Sequence, residues 1–209
     1  MTVVSIRSDV RKLPSIGSRF VTAHRGQEAT SAAAINAAAR TTATIKAAQI
    51  SAALETLWMQ RLLREADRAA AAGEVPVAAV VLDAAGRCIG WGRNQREQER
   101  DPFGHAELVA LRQAAKLLGD WRFHGCTLLV TLEPCPMCAG TLVQARMERV
   151  VFAAADPKRG ALGGCLDLAN HPSAHHRMAV KGGVLAEEAS TQLQQWFRQR
   201  RQRRDRPGS

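Results

Sequence analysis

His105-Ala106-Glu107 and, with its first cysteine twenty-eight residues beyond the glutamate, Pro134-Cys135-Pro136-Met137-Cys138 decide how this chain is read. Neutral imidazole and two thiolates form a donor set that Zn²⁺ favours, and three protein ligands leave the fourth tetrahedral position open for water, as a catalytic site requires. Glu107 is too near the first ligand to be idle and is unnecessary for charge balance, which makes it the candidate for moving protons to and from that water. The flanking residues tell how the two halves meet. Asp101-Pro102 argues against helix until just after it, so a helix should open close to His105 and run to Leu118. Cys126 to Thr131 reads as the strand that returns, and Pro136 sits where a first-turn proline is favoured, so the next helix should run from about there to Ala145. Both helix starts then lie at one edge of a sheet. Helix N-termini carry partial positive charge and favour thiolate over thiol, and cysteines three apart occupy neighbouring positions of one turn.

Cys-x-x-Cys alone is often a structural zinc knuckle or a redox pair. A structural site needs a fourth protein ligand, and the nearest histidine, His124, precedes the returning strand and should sit at its far end.

Working outward, Leu57, Met59, Leu62, Leu63, Ala66 and Ala70 form a helical stripe from about Glu55 to near Gly73, and Val75 to Leu82 reads as a buried strand. Asp83-Ala84-Ala85-Gly86 supplies a turn, after which Arg87 to Gly92 returns as a second strand. Asn94 to Gly104 is a polar connection. Glu148 to Ala153 gives strand four, Gly183 to Ala186 a short strand five, and Glu187 to Arg203 a terminal helix. The order implies an α/β protein with five strands.

The net charge of +10 lies in the tails. Residues 1–54 carry +5, the last fourteen carry +5 through six arginines and Asp205, and residues 55–195 balance 16 basic against 16 acidic side chains. An arginine cluster can neutralise phosphates with salt-dependent affinity, although a charged terminal run is also often a solvated end. Residues 1–54 are rich in Ser, Thr, Ala and Arg with only two acids. They read as a dispensable basic extension; an organellar transit peptide or a start placed too far upstream are the alternatives. The domain is therefore assigned to 55–205, including the basic last helix, with 206–209 as a tail. The five cysteines are odd in number and scattered, which reads poorly as a disulfide framework, and Cys88, Cys126 and Cys165 are expected as small core or near-core residues. No apolar run is long enough to span a membrane, and no apolar h-region of secretory length follows Met1, so export is not expected.

Gly104-His105-Ala106-Glu107, Thr131-Leu132-Glu133-Pro134-Cys135-Pro136-Met137-Cys138-Ala139-Gly140, and Val150-Val151-Phe152 followed by Asp156, Lys158, Gly160 and Ala161 resemble the bacterial tRNA-specific adenosine deaminases over roughly residues 55–205. The spacing H-x-E…P-C-x-x-C is shared by all zinc-dependent nucleobase deaminases; the wording around the cysteines, the Asp-x-Lys-x-Gly-Ala loop and the basic last helix narrow it to the tRNA enzymes. The resemblance implies a homodimer with a three-layer α/β/α cytidine deaminase-like fold around a central five-stranded mixed sheet, one Zn²⁺ per subunit, a cytoplasmic location, and conversion of adenosine to inosine at the wobble position (34) of an arginine tRNA anticodon. It implies His105, Cys135 and Cys138 as zinc ligands and Glu107 as the catalytic proton shuttle. Asn94 matches the asparagine that hydrogen-bonds the base, the Ala106 N–H matches a second base contact, and Pro76 with Val77 matches the apolar wall. Asp156, Lys158 and the stretch from Phe197 through Arg200 to Arg201 match regions that meet the anticodon stem-loop.

Each of these residues has a plainer reading. Asn94 also suits a turn after strand two, Glu133 suits helix capping as well as chemistry, and Phe103 could stack on a nucleotide or shield the core. His171, His175 and His176 read as solvated loop histidines. Ala155 stands where relatives often carry arginine, and Pro157 stiffens the Asp156 loop. The absence of tyrosine and the 4% aromatic content disfavour a long stacking platform and suit a pocket for one flipped base. Two other functions fit the zinc motif: a deaminase of a free base or nucleotide such as guanine or a cytidine derivative, which needs no arginine-rich helix, and a zinc-stabilised nucleic-acid-binding module without catalysis.

Overall fold

Ser51 accepts a hydrogen bond from the Leu54 N–H at 3.2 Å and so caps α1, Ala52–Ala71. The computed structural model describes residues 50–204; of the basic extension read at 1–54, residues 1–49 lie outside the described residues, as do residue 205 and the tail at 206–209, whereas Ala52 to Leu54 belong to the first turn of α1. The helix opens three residues earlier than its apolar stripe suggests, because the capping serine, not the first leucine, fixes its start. Its buried face is Glu55, Met59, Leu62, Ala66 and Ala69, while Leu57 from the expected stripe faces solvent at 44% exposure.

The remaining elements are β1 Ala78–Leu82, β2 Cys88–Arg93, α2 Arg96–Glu99, α3 Ala106–Leu118, β3 Thr127–Leu132, α4 Pro136–Gln144, β4 Arg149–Ala154, β5 Ala179–Lys181 and α5 Ala186–Arg204. The five strands form one sheet in the order β2-β1-β3-β4-β5. β1 pairs antiparallel with both β2 and β3, whereas β3–β4 and β4–β5 are parallel, so the sheet is mixed as expected. α1 packs on β1 and β3 and touches α5, which covers β4; α3 packs on β1 and β2 and touches α4. The sheet therefore lies between two helical layers, and β1, covered on both faces, is buried at every position. Gly92 lets α3 lie close to the sheet: a methyl group there would come within 2.7 Å of the Ala106 carbonyl oxygen.

Two elements differ from the sequence reading. β5 is Ala179–Lys181, not Gly183 to Ala186. Val184 and Leu185 look like strand residues, but they are half-buried parts of the turn into α5, where Gly183 takes φ +94° and Leu185 φ +57°. The second difference is α2, a single turn inside the stretch read as a polar connection. Its N-cap, Gln95, makes no side-chain cap. Instead the buried carboxylate of Glu74 accepts from the Glu97 and Gln98 N–H groups at 2.7 and 2.9 Å. A cap supplied from more than twenty residues away leaves no local signal.

The cysteines divide differently from expectation too. Cys126 is buried, and burial pushes its thiol up to about 11, but Cys88 and Cys165 are exposed and are not core residues. One buried charge ties the layers together: Glu55 on α1 accepts from Arg149 of β4 and Lys181 of β5, each at 2.6 Å. Among the described residues no helix is long and apolar enough to cross a membrane.

Candidate metal centre and active site

The fold brings the two halves of the motif together by placing them at two helix starts. His105 is the N-cap residue of α3 and Cys135 that of α4, with Pro136 at the first helical position. Both cap residues are extended, at φ/ψ −78°/144° and −71°/171°, and neither side chain is used in capping. Each is therefore free to point away from its helix.

His105 Nδ1 stands 3.7 Å from Cys135 Sγ and 3.5 Å from Cys138 Sγ, and the three donor atoms all lie within 4.8 Å of one another. Tetrahedral zinc with ordinary Zn–N and Zn–S bonds requires N···S separations of ~3.6 Å, so the donor set fits the ion without rearrangement. Among the described residues no fourth protein ligand joins this cluster. That leaves the open position of a catalytic site and argues against a closed structural one. His124, at the far end of β3, stands edge-on to His176 at 6.3 Å and takes no part.

The electrostatics suit the same chemistry. The hydrogen bond from Cys138, reinforced by His105, holds the Cys135 thiol down at about 3 against its partial burial. Cys138 is pushed up by donating to Cys135, by burial and by Glu107. The pair thus favours a thiolate at Cys135, and coordination to a divalent cation would remove the second proton as well. The bond to Cys135 also raises the His105 imidazole. Glu107, in the first turn of α3, is only 4% exposed, and burial raises its carboxyl above the usual range. A carboxyl moved toward neutrality can both take and give a proton.

Asn94 is buried at the end of β2, and its Oδ1 accepts the Ala106 N–H at 3.0 Å. The two groups read separately as base contacts therefore bond each other. Asn94 caps α3, the Ala106 N–H is already engaged, and the Asn94 Nδ2 amide is left without a partner among the described residues. The Asn94 N–H in turn donates to the Val77 carbonyl at 3.0 Å, which sets buried Pro76 and Val77 beside it.

The residues read as RNA contacts separate into two kinds. Asp156 is largely spent on its own turn, its Oδ1 accepting from the Lys158 and Arg159 N–H groups at 3.0 Å each. Lys158 is exposed, as is Arg159 beside it, which the sequence reading passed over. On α5, Phe197 is 43% exposed and meets Trp196 edge to face at 4.9 Å. Arg200 lies over the Trp196 ring at 5.2 Å and donates to the Gly73 carbonyl at 3.3 Å, while Arg201 is exposed. Through Gly73 the basic helix reaches the segment leading to Pro76. Phe103 is 54% exposed and shields no core. His171 bonds Ser173, and His176 bonds the Met147 carbonyl, both away from the cluster. Glu133 does not cap α4; its buried carboxylate holds the loop that follows β4.

Comparison with known proteins agrees with this geometry. The zinc-binding region of the cytidine and deoxycytidylate deaminases matches residues 52–154. A tRNA(Ile)-lysidine synthase of Deinococcus deserti is 52% identical over 148 residues, 70% of this chain, which spans only 27% of that relative's length. A solved structure from studies of A-to-I editing by tRNA:A34 deaminases at the wobble position of transfer RNA superposes with a TM-score of 0.63 at 36% identity, covering 66% of this chain and 99% of that one. The tRNA-specific adenosine deaminase of Bacillus subtilis is 43% identical over 150 residues, 72% of this chain and 92% of the relative. So full a match along a relative of that kind leaves one assignment: this chain belongs to the tRNA-specific adenosine deaminase family, whose zinc-binding deaminase domain it carries.

Proposed function

We propose that this protein hydrolyses adenosine to inosine at the wobble position (34) of a tRNA, with the anticodon of an arginine tRNA as substrate, and releases ammonia. The observation that carries the reading is the convergence of His105 Nδ1 and two cysteine sulfurs beside a buried glutamate whose carboxyl is raised by burial. His105, Cys135 and Cys138 would hold a zinc ion, which would supply Lewis acidity that lowers the pKa of water toward neutrality.

The chain's own residues do the rest. Glu107 accepts a proton from the attacking water and passes it to N1 of adenine as the hydroxyl bonds to C6. It then carries the proton of that hydroxyl to the exocyclic nitrogen, the C6–N6 bond breaks, and ammonia leaves with inosine in its keto form. Asn94 donates from Nδ2 to the flipped base, and Pro76 with Val77 and the capped start of α3 at Ala106 form its wall. Burial around Glu107 excludes bulk water from the proton path. Lys158, on the turn that Asp156 supports, and Phe197, Arg200 and Arg201 on α5 meet the anticodon stem-loop.

The working protein in this reading is a cytoplasmic homodimer with one zinc per subunit, and the basic extension ahead of Ile50 and the Ser51 cap is dispensable to the reaction. The test is inosine formation on total tRNA and on an adenosine-34 stem-loop. Glu107→Gln should keep its zinc and lower kcat by ~10²–10⁴-fold; continued deamination at the wild-type rate by that variant would overturn the role of Glu107.

A further inference from the structure

Glu133 is a carboxylate buried to 3% exposure with no cationic partner among the described residues. A buried charge without a counter-ion is costly unless hydrogen bonds satisfy it, and three backbone N–H groups do so here. Oε2 accepts from Asp156 at 2.9 Å; Oε1 accepts from Leu162 at 3.0 Å and Gly164 at 2.8 Å. All three donors belong to the loop that leaves β4.

The loop is built around that carboxylate. A side chain at Gly160 would overlap the Glu133 carboxylate, and a methyl group at Gly164 would come within 2.5 Å of Oε2. The Ala161 N–H donates to the Pro134 carbonyl at 2.9 Å, so the loop is also fixed to the residue that precedes the ligand Cys135. Between these anchors Asp156 folds the backbone of Lys158 and Arg159 into a tight turn, leaving both side chains exposed and without an ion pair among the described residues. Glu133 itself reaches neither solvent nor the donor cluster. Its hydrogen bonds are spent on where two cations stand relative to Cys135.

We propose that Glu133 is a positioning residue that holds Lys158 and Arg159 as a preformed clamp for the RNA phosphates flanking the reacting nucleotide. The inference rests on the reading of the chain as an RNA adenosine deaminase. A preorganised pair of cations loses less conformational freedom on binding than two mobile side chains, so affinity depends on the grip as well as on the charge. Glu133→Gln keeps the size of the side chain but turns one acceptor into a donor facing a backbone N–H. It opens the grip without removing either cation.

The experiment uses the full, zinc-loaded chain and an adenosine-34 anticodon stem-loop RNA, with Kd measured across a salt series, KM and kcat alongside, and hydrogen exchange at the loop amides. Glu133→Gln should retain its zinc, speed exchange at Asp156, Leu162 and Gly164, and raise Kd and KM by ~10-fold with kcat changed far less. The pair Lys158→Ala/Arg159→Ala should weaken binding similarly and reduce the slope of log K against log salt by ~1.4–1.8. Adding Glu133→Gln to that pair should cost little more, because both remove the same clamp. Full additivity, an unchanged Kd in Glu133→Gln, or an unchanged salt slope in the lysine–arginine pair would each overturn the proposal. Gly164→Ala, which crowds the carboxylate from the other side, replaces Glu133→Gln if that variant does not fold. A wild-type chain that binds the stem-loop without forming inosine defeats the functional reading while the clamp is still measured; inosine formation with an indifferent Glu133→Gln defeats the clamp alone. No RNA binding at all defeats both.

Discussion

Asn94 Oδ1 accepts the Ala106 N–H at 3.0 Å, so the residue that follows β2 is bonded directly to the first turn of the helix that carries Glu107. One amide side chain has two ends with different duties. Its oxygen satisfies an unpaired N–H at a helix start, and its nitrogen is free to address a ligand. The relationship also fixes how closely β2, which ends at Arg93, can follow α3.

The two duties can be separated by substitution. Asn94→Ala should lower stability by ~1 kcal/mol through removal of the cap and lower kcat/KM by ~10-fold or more through removal of the donor. Asn94→Asp keeps the oxygen and removes the amide nitrogen. It should unfold at close to the wild-type temperature yet show most of the loss in kcat/KM. If the aspartate variant is as active as wild type, Asn94 is a cap and nothing more.

The metal should be structural as well as chemical in effect, since it joins the starts of α3 and α4. Purified protein is expected to hold about one zinc per chain by elemental analysis. Cys138→Ser should lose most of that zinc and unfold at a lower temperature than wild type, because the ion stabilises only the folded donor set. Cys126 and Cys165 give the control: neither belongs to the cluster, and serine at either position should leave the zinc content unchanged. Full zinc in Cys138→Ser would remove that sulfur from the ligand set.

What the sequence made legible was local or periodic. Pro136 marked the start of α4, Asp101-Pro102 the start of α3, and the apolar runs marked four of the five strands to within a few residues. The spacing of His105, Cys135 and Cys138 identified the donors because metal ligation restricts residue type far more tightly than packing does. Glu74 escapes notice, and Glu133 reads as a helix cap or a chemical group and not as the anchor of a loop, for the opposite reason. Each is a lone carboxylate whose partners are backbone N–H groups more than twenty positions away, and a backbone donor leaves no trace in residue identity. β5 was misplaced because Val184 and Leu185 carry a strand-like composition into a turn that Gly182-Gly183 permits. Cys88 and Cys165 show the limit of composition alone: a free cysteine packs like a small hydrophobe only where the fold supplies an interior.

Glu55 offers a test of the architecture independent of catalysis. It is almost wholly buried beneath Arg149, itself 13% exposed, while Lys181 on its other side is 44% exposed. Removing one member of a buried pair strands the other charge, so Glu55→Ala should destabilise the fold by ~3–5 kcal/mol. Lys181→Ala, at the exposed end, should cost under ~1 kcal/mol. Denaturant unfolding of the two variants measures both. Equal costs would mean that the exposed lysine, and not the buried arginine, carries the interaction.

The terminal helix gives the last prediction. Arg198, Arg201 and Arg203 are exposed on α5 without ion pairs among the described residues, whereas Arg200 is engaged by Trp196 and the Gly73 carbonyl. Replacing the three exposed arginines by glutamine therefore removes charge and spares the hydrogen bond that seats the helix. Each phosphate left without its arginine should reduce the slope of log K against log salt by ~0.7–0.9, so the triple variant should fall by up to ~2–3 in slope. The effect should appear in KM and diminish at high salt, where the wild-type advantage is screened. Arg200→Gln is the contrast: it should lower the unfolding temperature as well as affinity, because it releases the helix from Gly73. A triple variant whose binding keeps the wild-type salt dependence would show that the arginines are a solvated end, and RNA recognition would then rest on the loop that Glu133 holds.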